Sequence, residues 1–218
     1  MKKILKILLI LNISVLIVSF SISVVILFRP FYYVQIKTLN IEKETGYTYE
    51  EIKEAYDDII NYTTLNKPFR TGKLKYFSSG KNHFKDCKVL FTINFIILGF
   101  SIIIFIIKKK YLNNLKIKNH SIEFWSSCLI IISLIILLLI LLIVGFDKCF
   151  EIFHQIFFLG KSNWLLNPDK DEIINILPEI YFMNCTILII SIIVTISIGL
   201  LIRDKYKKID KKINILYK

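Results

Sequence analysis

The stretch FWSSCLIIISLIILLLILLIV, residues Phe124–Val144, decides the fold. It contains no charged residue. It also lacks the polar face that a soluble amphipathic helix carries opposite its apolar stripe. At a rise of about 1.5 Å per residue, about 20 apolar residues cross the hydrocarbon core of a bilayer. The stretch therefore predicts a transmembrane helix.

Three further runs have the same character, and the composition as a whole agrees with them. The chain has 218 residues, of which 55% are hydrophobic, and its mean hydropathy is +0.58. Such values are typical of membrane proteins. The first run follows Met1-Lys-Lys as a signal peptide would, but it is too long for one and no small-residue cleavage site follows. We therefore expect the first run to remain as a transmembrane helix.

The predicted fold class is an all-α membrane protein: four transmembrane helices with a small mixed extracellular cap. The expected transmembrane helices are 4–27, 89–107, 124–145 and 180–202. Segments 28–88 and 146–179 form the cap, 108–123 is a cytoplasmic loop, and 203–218 is a basic cytoplasmic tail.

The distribution of charge predicts the orientation. The net charge is +12, which in a soluble protein would suggest a nucleic-acid partner. With a cytoplasmic N-terminus, the whole excess falls in the N-terminal lysines and in 108–123 and 203–218, whereas the outer segments sum to zero. This asymmetry agrees with the positive-inside rule. We therefore expect cytoplasmic termini, contact with membrane lipids and no nucleic acid.

Local patterns predict four elements in the cap. Phe31–Leu39 is rich in aromatic and β-branched residues and predicts a strand. Thr48 to about Tyr62 predicts a helix, with Thr48 and Glu51 as a capping box. Residues 73–79 predict an extended segment, and Pro168 begins a short helix that Pro178 ends.

Residues Phe146–Trp164, FDKCFEIFHQIFFLGKSNW, follow the third run and carry a histidine among aromatic residues. In a helix, one face would be apolar and a second polar: Phe146, Phe150, Phe153 and Phe157 against Asp147, Glu151 and His154. Such a helix suits a membrane–water boundary. An imidazole at that depth is a functional candidate. The alternative is a boundary histidine that shares a proton with Glu151.

His83 lies beside the second run, and the predicted topology places it at the same outer boundary as His154. His120 falls on the inner side and is expected to be solvated. Asp86 and Glu151 stand at helical spacing from the two histidines, where each could fix a tautomer. With a reference pKa of about 6.5, imidazole transfers protons near neutrality. The same residues are an alternative metal ligand set, but HExxH and CxxC patterns are absent and no metal is predicted.

Aromatic residues are dense in the outer segments. They have two interpretations: an ordinary interfacial belt, or an apolar slot for a lipid-linked group.

Two blocks resemble a known family. The blocks are YFSSGKNHFKDCKVLF at Tyr76–Phe91 and FEIFHQIFF at Phe150–Phe158, the second followed by Trp164. Together with the four-helix layout, they resemble the bacterial lipoprotein intramolecular transacylase family of the cytoplasmic membrane. The resemblance implies a lipid-modified lipoprotein substrate and transfer of its sn-2 acyl chain to the α-amine of its N-terminal cysteine. Cys87 departs from the aliphatic residue expected at its position.

The resemblance also implies a set of site residues. His83 and His154 match the catalytic histidines, with Asp86 and Glu151 as supporting residues. The expected substrate-binding residues are Tyr76, Phe84, Phe150, Phe153, Phe157 and Trp164. No cofactor is expected, because conversion of an ester to an amide is energetically downhill. The alternatives are a non-enzymatic membrane assembly or transport module and a metal-dependent hydrolase, and the oligomeric state is left open.

Overall fold

The structure is a computed structural model that describes residues 2–111 and 120–216. Over these ranges it contains eight α-helices, one 3-10 helix and no strand. The helices are α1 Lys2–Leu27, α2 Arg29–Thr38, α3 Ile41–Thr45, α4 Tyr49–Leu65, α5 Ser78–Tyr111, α6 His120–Val144, α7 Phe146–Phe157 and α8 Glu179–Leu216, with the 3-10 helix at Glu172–Ile174. Half of the predicted inner loop 108–123, residues 112–119, lies outside the described ranges.

Four helices are long and apolar enough to cross a membrane, which confirms the predicted all-α membrane fold. The candidate spans are Lys3–Leu27, Ser78–Lys108, Ile122–Val144 and Glu179–Asp210. The second and fourth extend beyond their apolar runs. Because α5 begins at Ser78 and not at the apolar Val89, the polar block around His83 forms the first turns of that helix.

The chain divides into two compact units. The first comprises Met1–Ser21, Ile96–Ile140 and Ile189–Lys218. Its core is aliphatic and draws on α1, α6 and α8, for example at Ile13, Ile122 and Ile193. An ion-pair group joins its helices, since Glu123 pairs with Arg203 and lies 3.9 Å from the buried Lys108 ammonium.

The second unit comprises Ile22–Phe95 and Leu141–Leu188. Tyrosines hold its core together: the rings of Tyr32 and Tyr56 stack at 3.8 Å, and the ring of Tyr181 meets that of Tyr32 edge-on at 5.0 Å. The hydroxyls of Tyr56 and Tyr181 lie 3.2 Å apart. The Tyr32 hydroxyl donates to the carbonyl of Ile176 at 2.6 Å, so each of these three buried phenols has a hydrogen-bond partner.

The predicted strand at Phe31–Leu39 is wrong, and with it the mixed character of the cap. The segment is helix α2, in which Tyr32 and Ile36 are both fully buried. These two residues are four apart and so share one helical face. Pro30 in the first helical turn supports the start of the helix. Burial of one helical face outweighs the strand preference of the aromatic residues.

Two of the other three predicted elements of the cap differ in how well local sequence predicted them. The helix from Thr48 is confirmed as α4, with both hydrogen bonds of the Thr48–Glu51 capping box present. Between Pro168 and Pro178, in contrast, the chain forms turns and the short 3-10 helix where an α-helix was expected. This turn-rich segment contacts the start of α5 through hydrogen bonds.

Candidate functional site

His83 of α5 and His154 of α7 come together inside the second unit. Their ring centroids lie 5.9 Å apart, and their planes are inclined by 31°. The two residues are only 9% and 8% exposed. Lone buried histidines usually satisfy a structural hydrogen bond, but two imidazoles within reach of one small group form a candidate site for proton transfer.

The tautomer of His154 follows from its hydrogen bond. Its Nδ1 lies 2.7 Å from the carbonyl oxygen of Phe150, and a carbonyl only accepts, so Nδ1 carries the proton. In the neutral ring, Nε2 therefore keeps a free lone pair. Burial lowers the pKa of His154 below its ordinary value, against the opposing effect of the Phe150 carbonyl. His154 is thus a neutral imidazole with its basic nitrogen unprotonated at neutral pH.

The expected pairing of Glu151 with His154 is not found. The Glu151 carboxylate accepts from Lys148 at 2.5 Å and from Gln155 at 3.0 Å on the exposed side of α7. The backbone, not a carboxylate, orients His154. The alternative interpretation of His154 as a histidine that shares a proton with Glu151 therefore has no support in this geometry.

One ring nitrogen of His83 has no hydrogen-bond partner among the described residues. Its Nε2 lies 3.6 Å from the Cys87 sulfur, one helical turn further along α5. Its Nδ1 is buried and has no hydrogen-bond partner among residues 2–111 and 120–216. The expected support from Asp86 takes a different form, because that carboxylate binds Lys161 at 2.6 Å and Asn163 at 2.9 Å.

Aromatic rings surround the histidine pair. The ring of Phe150 lies 4.3 Å from that of His154, and the ring of Trp164 lies 5.0 Å from it. Phe158, which sequence reasoning did not single out, contacts both imidazoles, at 5.1 Å from His83 and 5.6 Å from His154. Only its place at the end of the Phe150–Phe158 block pointed to it.

The remaining predicted substrate-binding residues differ in their placement. Phe84 is buried beside His83, with ring centroids 5.5 Å apart. Phe153 and Phe157 stack on each other and are about half exposed, although the ring of Phe153 also lies 5.5 Å from that of His154. Tyr76 is exposed and packs on Phe69 at 4.9 Å, away from both histidines in its ring contacts among the described residues.

Asp171 anchors the start of the helix that carries His83. Its fully buried carboxylate accepts from the backbone N–H groups of Phe77 at 2.8 Å and Gly80 at 3.2 Å, and from the Ser79 hydroxyl at 2.6 Å. The first N–H groups of a helix need such acceptors, and the helix dipole favours an anion there. No local signal predicts this contact, because its partners lie about 90 residues earlier in the chain.

No group of three or more His, Cys, Asp or Glu side chains within the described residues converges in a way that could hold a metal ion. The donors that the histidine pair offers are two ring nitrogens, with the nearby carboxylate already bound to Lys161 and Asn163.

Comparison with known proteins places this geometry in context. A family model described as lipoprotein intramolecular transacylase Lit matches residues 7–182. The solved structure of the membrane integral lipoprotein intramolecular transacylase Lit from Bacillus cereus has a TM-score of 0.88 and 26% identity, over 97% of each chain. Two variants of that protein, with one histidine changed to arginine or to alanine, each have a TM-score of 0.84 and 27% identity. They cover 97% of this chain and 94% and 95% of their own. No curated protein sequence matches this chain.

Proposed function

This chain belongs to the lipoprotein intramolecular transacylase family, and we propose that its reaction takes place between His83 and His154. It is a multi-pass membrane protein and an acyltransferase. The substrate we propose is a lipoprotein whose N-terminal cysteine carries a thioether-linked diacylglyceryl group. The sn-2 acyl chain moves to the α-amine of that cysteine and leaves the lyso form.

One observation carries this proposal: two buried imidazoles from distant parts of the chain lie 5.9 Å apart between aromatic rings. Both reacting groups belong to a single substrate molecule, so the main task of the protein is to bring them together and to move one proton. An imidazole pair of this separation can contact a carbonyl and an amine that are about to react. A purely structural role would not require two buried and closely spaced imidazoles.

We assign the general base to His154. Its Nδ1 proton is held by the Phe150 carbonyl at 2.7 Å, so Nε2 is free to accept a proton. The α-amine has a reference pKa of about 7.7–8.0 and must lose a proton to attack the ester carbonyl. A buried, neutral imidazole is matched to this task, because general bases act best with pKa values near the working pH.

His83 would polarise the ester carbonyl. If its Nε2 accepts from the Cys87 thiol, then Nδ1 carries the ring proton and is free to donate to the developing oxyanion. A bond then forms between the amine nitrogen and the carbonyl carbon, and the bond to the sn-2 oxygen breaks. The proton that His154 removed from the amine passes to that oxygen, so His154 ends the cycle neutral.

The aromatic walls have two roles in this scheme. Phe150, Phe158 and Trp164 provide an apolar lining for the glyceryl and acyl groups, and Phe84 closes the side of His83. By excluding water, the same rings favour attack by the amine over hydrolysis. The exposed Phe153 and Phe157 would instead contact lipid or the distal part of an acyl chain. Asp86 acts as a support through Lys161 and Asn163, and Glu151 has no role in this step.

The test is mass spectrometry of the N-terminal peptide of a lipoprotein co-expressed with this chain. Lyso-form product is expected with the wild type, and a loss of at least about 100-fold with His83→Ala or His154→Ala, the usual range for removal of a general acid or base. His120→Ala, at the start of α6, is the matched control and should retain activity. Wild-type product from either of the first two variants would overturn the proposed mechanism.

We further propose that the protein lies in the bacterial cytoplasmic membrane with both termini in the cytoplasm. The location of the +12 excess supports this orientation, because residues 28–88 and 146–180 together carry no net charge. The histidine pair would then face the outer leaflet, where a lipoprotein presents its amine and esters.

A further inference from the structure

Asn163 carries an unsatisfied buried acceptor, and its side chain binds Asp86 on the helix of His83. Its Nδ2 donates to Asp86 Oδ2 at 2.9 Å. Its Oδ1 is buried and has no hydrogen-bond partner within the part of the chain that the structure describes. Buried polar atoms are nearly always paired in native proteins, so an exception of this kind points to a missing partner.

The orientation of this amide follows from its neighbour. Asp86 is a carboxylate that only accepts, so the NH2 end of Asn163 must face it and the oxygen must face away. Lys161 binds the other carboxylate oxygen of Asp86 at 2.6 Å and holds that side chain in place. The free atom of Asn163 is therefore an acceptor, and the missing partner is a hydrogen-bond donor.

Asn163 is linked to both histidines through its neighbours. Asp86 follows His83 by less than one turn of α5, and the next residue after Asn163 is Trp164, whose ring lies 5.0 Å from that of His154. Asn163 thus joins the helix of His83 to the ring that covers His154. His83 Nδ1 is another buried polar atom without a hydrogen-bond partner in the described ranges.

We propose that Asn163 Oδ1 binds the α-amine of the substrate's N-terminal cysteine, with Asp86 as the positioning residue that orients the amide. This inference rests on the proposed function. The esters and the thioether of the diacylglyceryl group have only acceptor atoms, so the amine is the donor nearest to the bond that reacts. A hydrogen bond from the amine to Asn163 would direct its lone pair to the carbonyl while a second N–H faces His154.

The inference is tested with two unreactive lipopeptides that carry an ether in place of the sn-2 ester. One has an N-terminal cysteine, and the other has hydrogen in place of the α-amine. Their dissociation constants are measured in nanodiscs. We expect wild-type protein to bind the amine-bearing peptide about tenfold more tightly, the value of one hydrogen bond. Asn163→Leu should reduce this preference, because the acceptor on Asn163 is lost while the contact of the amine with His154 remains.

Several controls make the result decisive. Unchanged affinity of Asn163→Leu for the peptide without an amine would show a folded site, and Asn163→Ala provides a second variant with the Lys161–Asp86 pair intact. Asn175→Leu, at an exposed asparagine of the turn-rich segment between Pro168 and Pro178, should keep the tenfold preference. Asp86→Asn should reduce it, because an amide at that position no longer dictates which end of Asn163 faces it.

Retention of the tenfold preference by Asn163→Leu would overturn the inference. Equal weakening of the binding of both peptides would also overturn it, because Asn163 would then contact a peptide N–H that the two peptides share. Because neither peptide reacts, these outcomes are independent of catalysis. Failure of the proposed function would appear instead as absence of lyso-form product from the ester substrate with wild-type protein.

Discussion

At the scale of single residues, the chemistry depends on which atom of each imidazole is free. In His154 the free atom is Nε2, because Nδ1 donates its hydrogen bond to the backbone carbonyl of Phe150, four residues earlier. No neighbouring carboxylate is needed, and Glu151 is free to bind Lys148 and Gln155 on the exposed side. The base is thus oriented by a contact that side-chain substitution cannot remove.

The titration of His154 follows from its burial, which lowers its pKa in the folded protein. Above a pH of about 6.5 the ring is neutral in both folded and unfolded states. As the pH falls below that value, the unfolded chain takes up the proton first, so the stability of the folded state decreases. Histidine-selective ¹⁵N NMR in nanodiscs should find a His154 midpoint below 6.5 and the Nδ1–H tautomer, with His154→Ala used for assignment. A midpoint at or above 6.5 would contradict the lowered pKa.

At the scale of elements, the start of α5 is the part of the fold on which the site depends most. Asp171 supplies acceptors for the N–H groups of Phe77 and Gly80 from a segment outside the helix. Glu172, the next residue, binds the N–H of Lys75 at 2.7 Å and the hydroxyl of Tyr47 at 2.8 Å. The turn-rich segment therefore fixes the position of the helix start and of the chain that leads into it.

The packing at this helix start leaves no space for a side chain at Gly80. A Cβ there would lie 2.3 Å from Asp171 Oδ1, so Gly80→Ala must displace the carboxylate. We expect a loss of about 1–3 kcal/mol in stability, the usual cost of overpacking, and reduced acyl transfer because His83 lies three residues further on. Thermal unfolding in detergent and the lyso-form assay measure the two effects.

Gly99→Ala is the matched control on the same helix, since no heavy atom of the described residues lies within 4 Å of its Cβ position. It should leave the unfolding midpoint unchanged or raise it slightly, because alanine has the higher helix propensity. Equal midpoints for Gly80→Ala and the wild type would argue against the role of Asp171.

At the scale of the whole molecule, the candidate site is complete within one of the two units. All the residues that contact the imidazoles belong to Ile22–Phe95 or Leu141–Leu188. The other unit packs an aliphatic core and carries the Glu123–Arg203 ion pair. The basic excess is confined to the predicted inner segments, which predicts that Lys67 and Lys207 lie on opposite sides of the membrane.

We expect Lys67→Cys to react with a membrane-impermeant maleimide added to intact cells, and Lys207→Cys to react only after the membrane is opened. Both residues are exposed in the structure. The background should have the four native cysteines replaced by serine. The reverse pattern would refute the proposed orientation and would place the histidine pair away from the outer leaflet.

The features that could be predicted from the sequence are those with local physical causes. Transfer of about 20 apolar residues into lipid depends on the residues themselves, so the four membrane helices were predictable. The capping box at Thr48 is a contact between residues three apart and was equally readable. The two histidine blocks were identifiable because each is a continuous stretch of sequence that can be compared directly with a family.

By itself, therefore, the sequence determined the membrane helices, the capped helix of the cap and the two candidate histidines. Only the tertiary structure decided the partners of those histidines and the conformation of the segment from Arg29 to Thr38. Phe158, Asn163 and Asp171 act through residues far away in the chain, and such contacts depend on how the helices pack. The physical reason is that burial and hydrogen bonding at long range outweigh weak local preferences, which carry no information about distant partners.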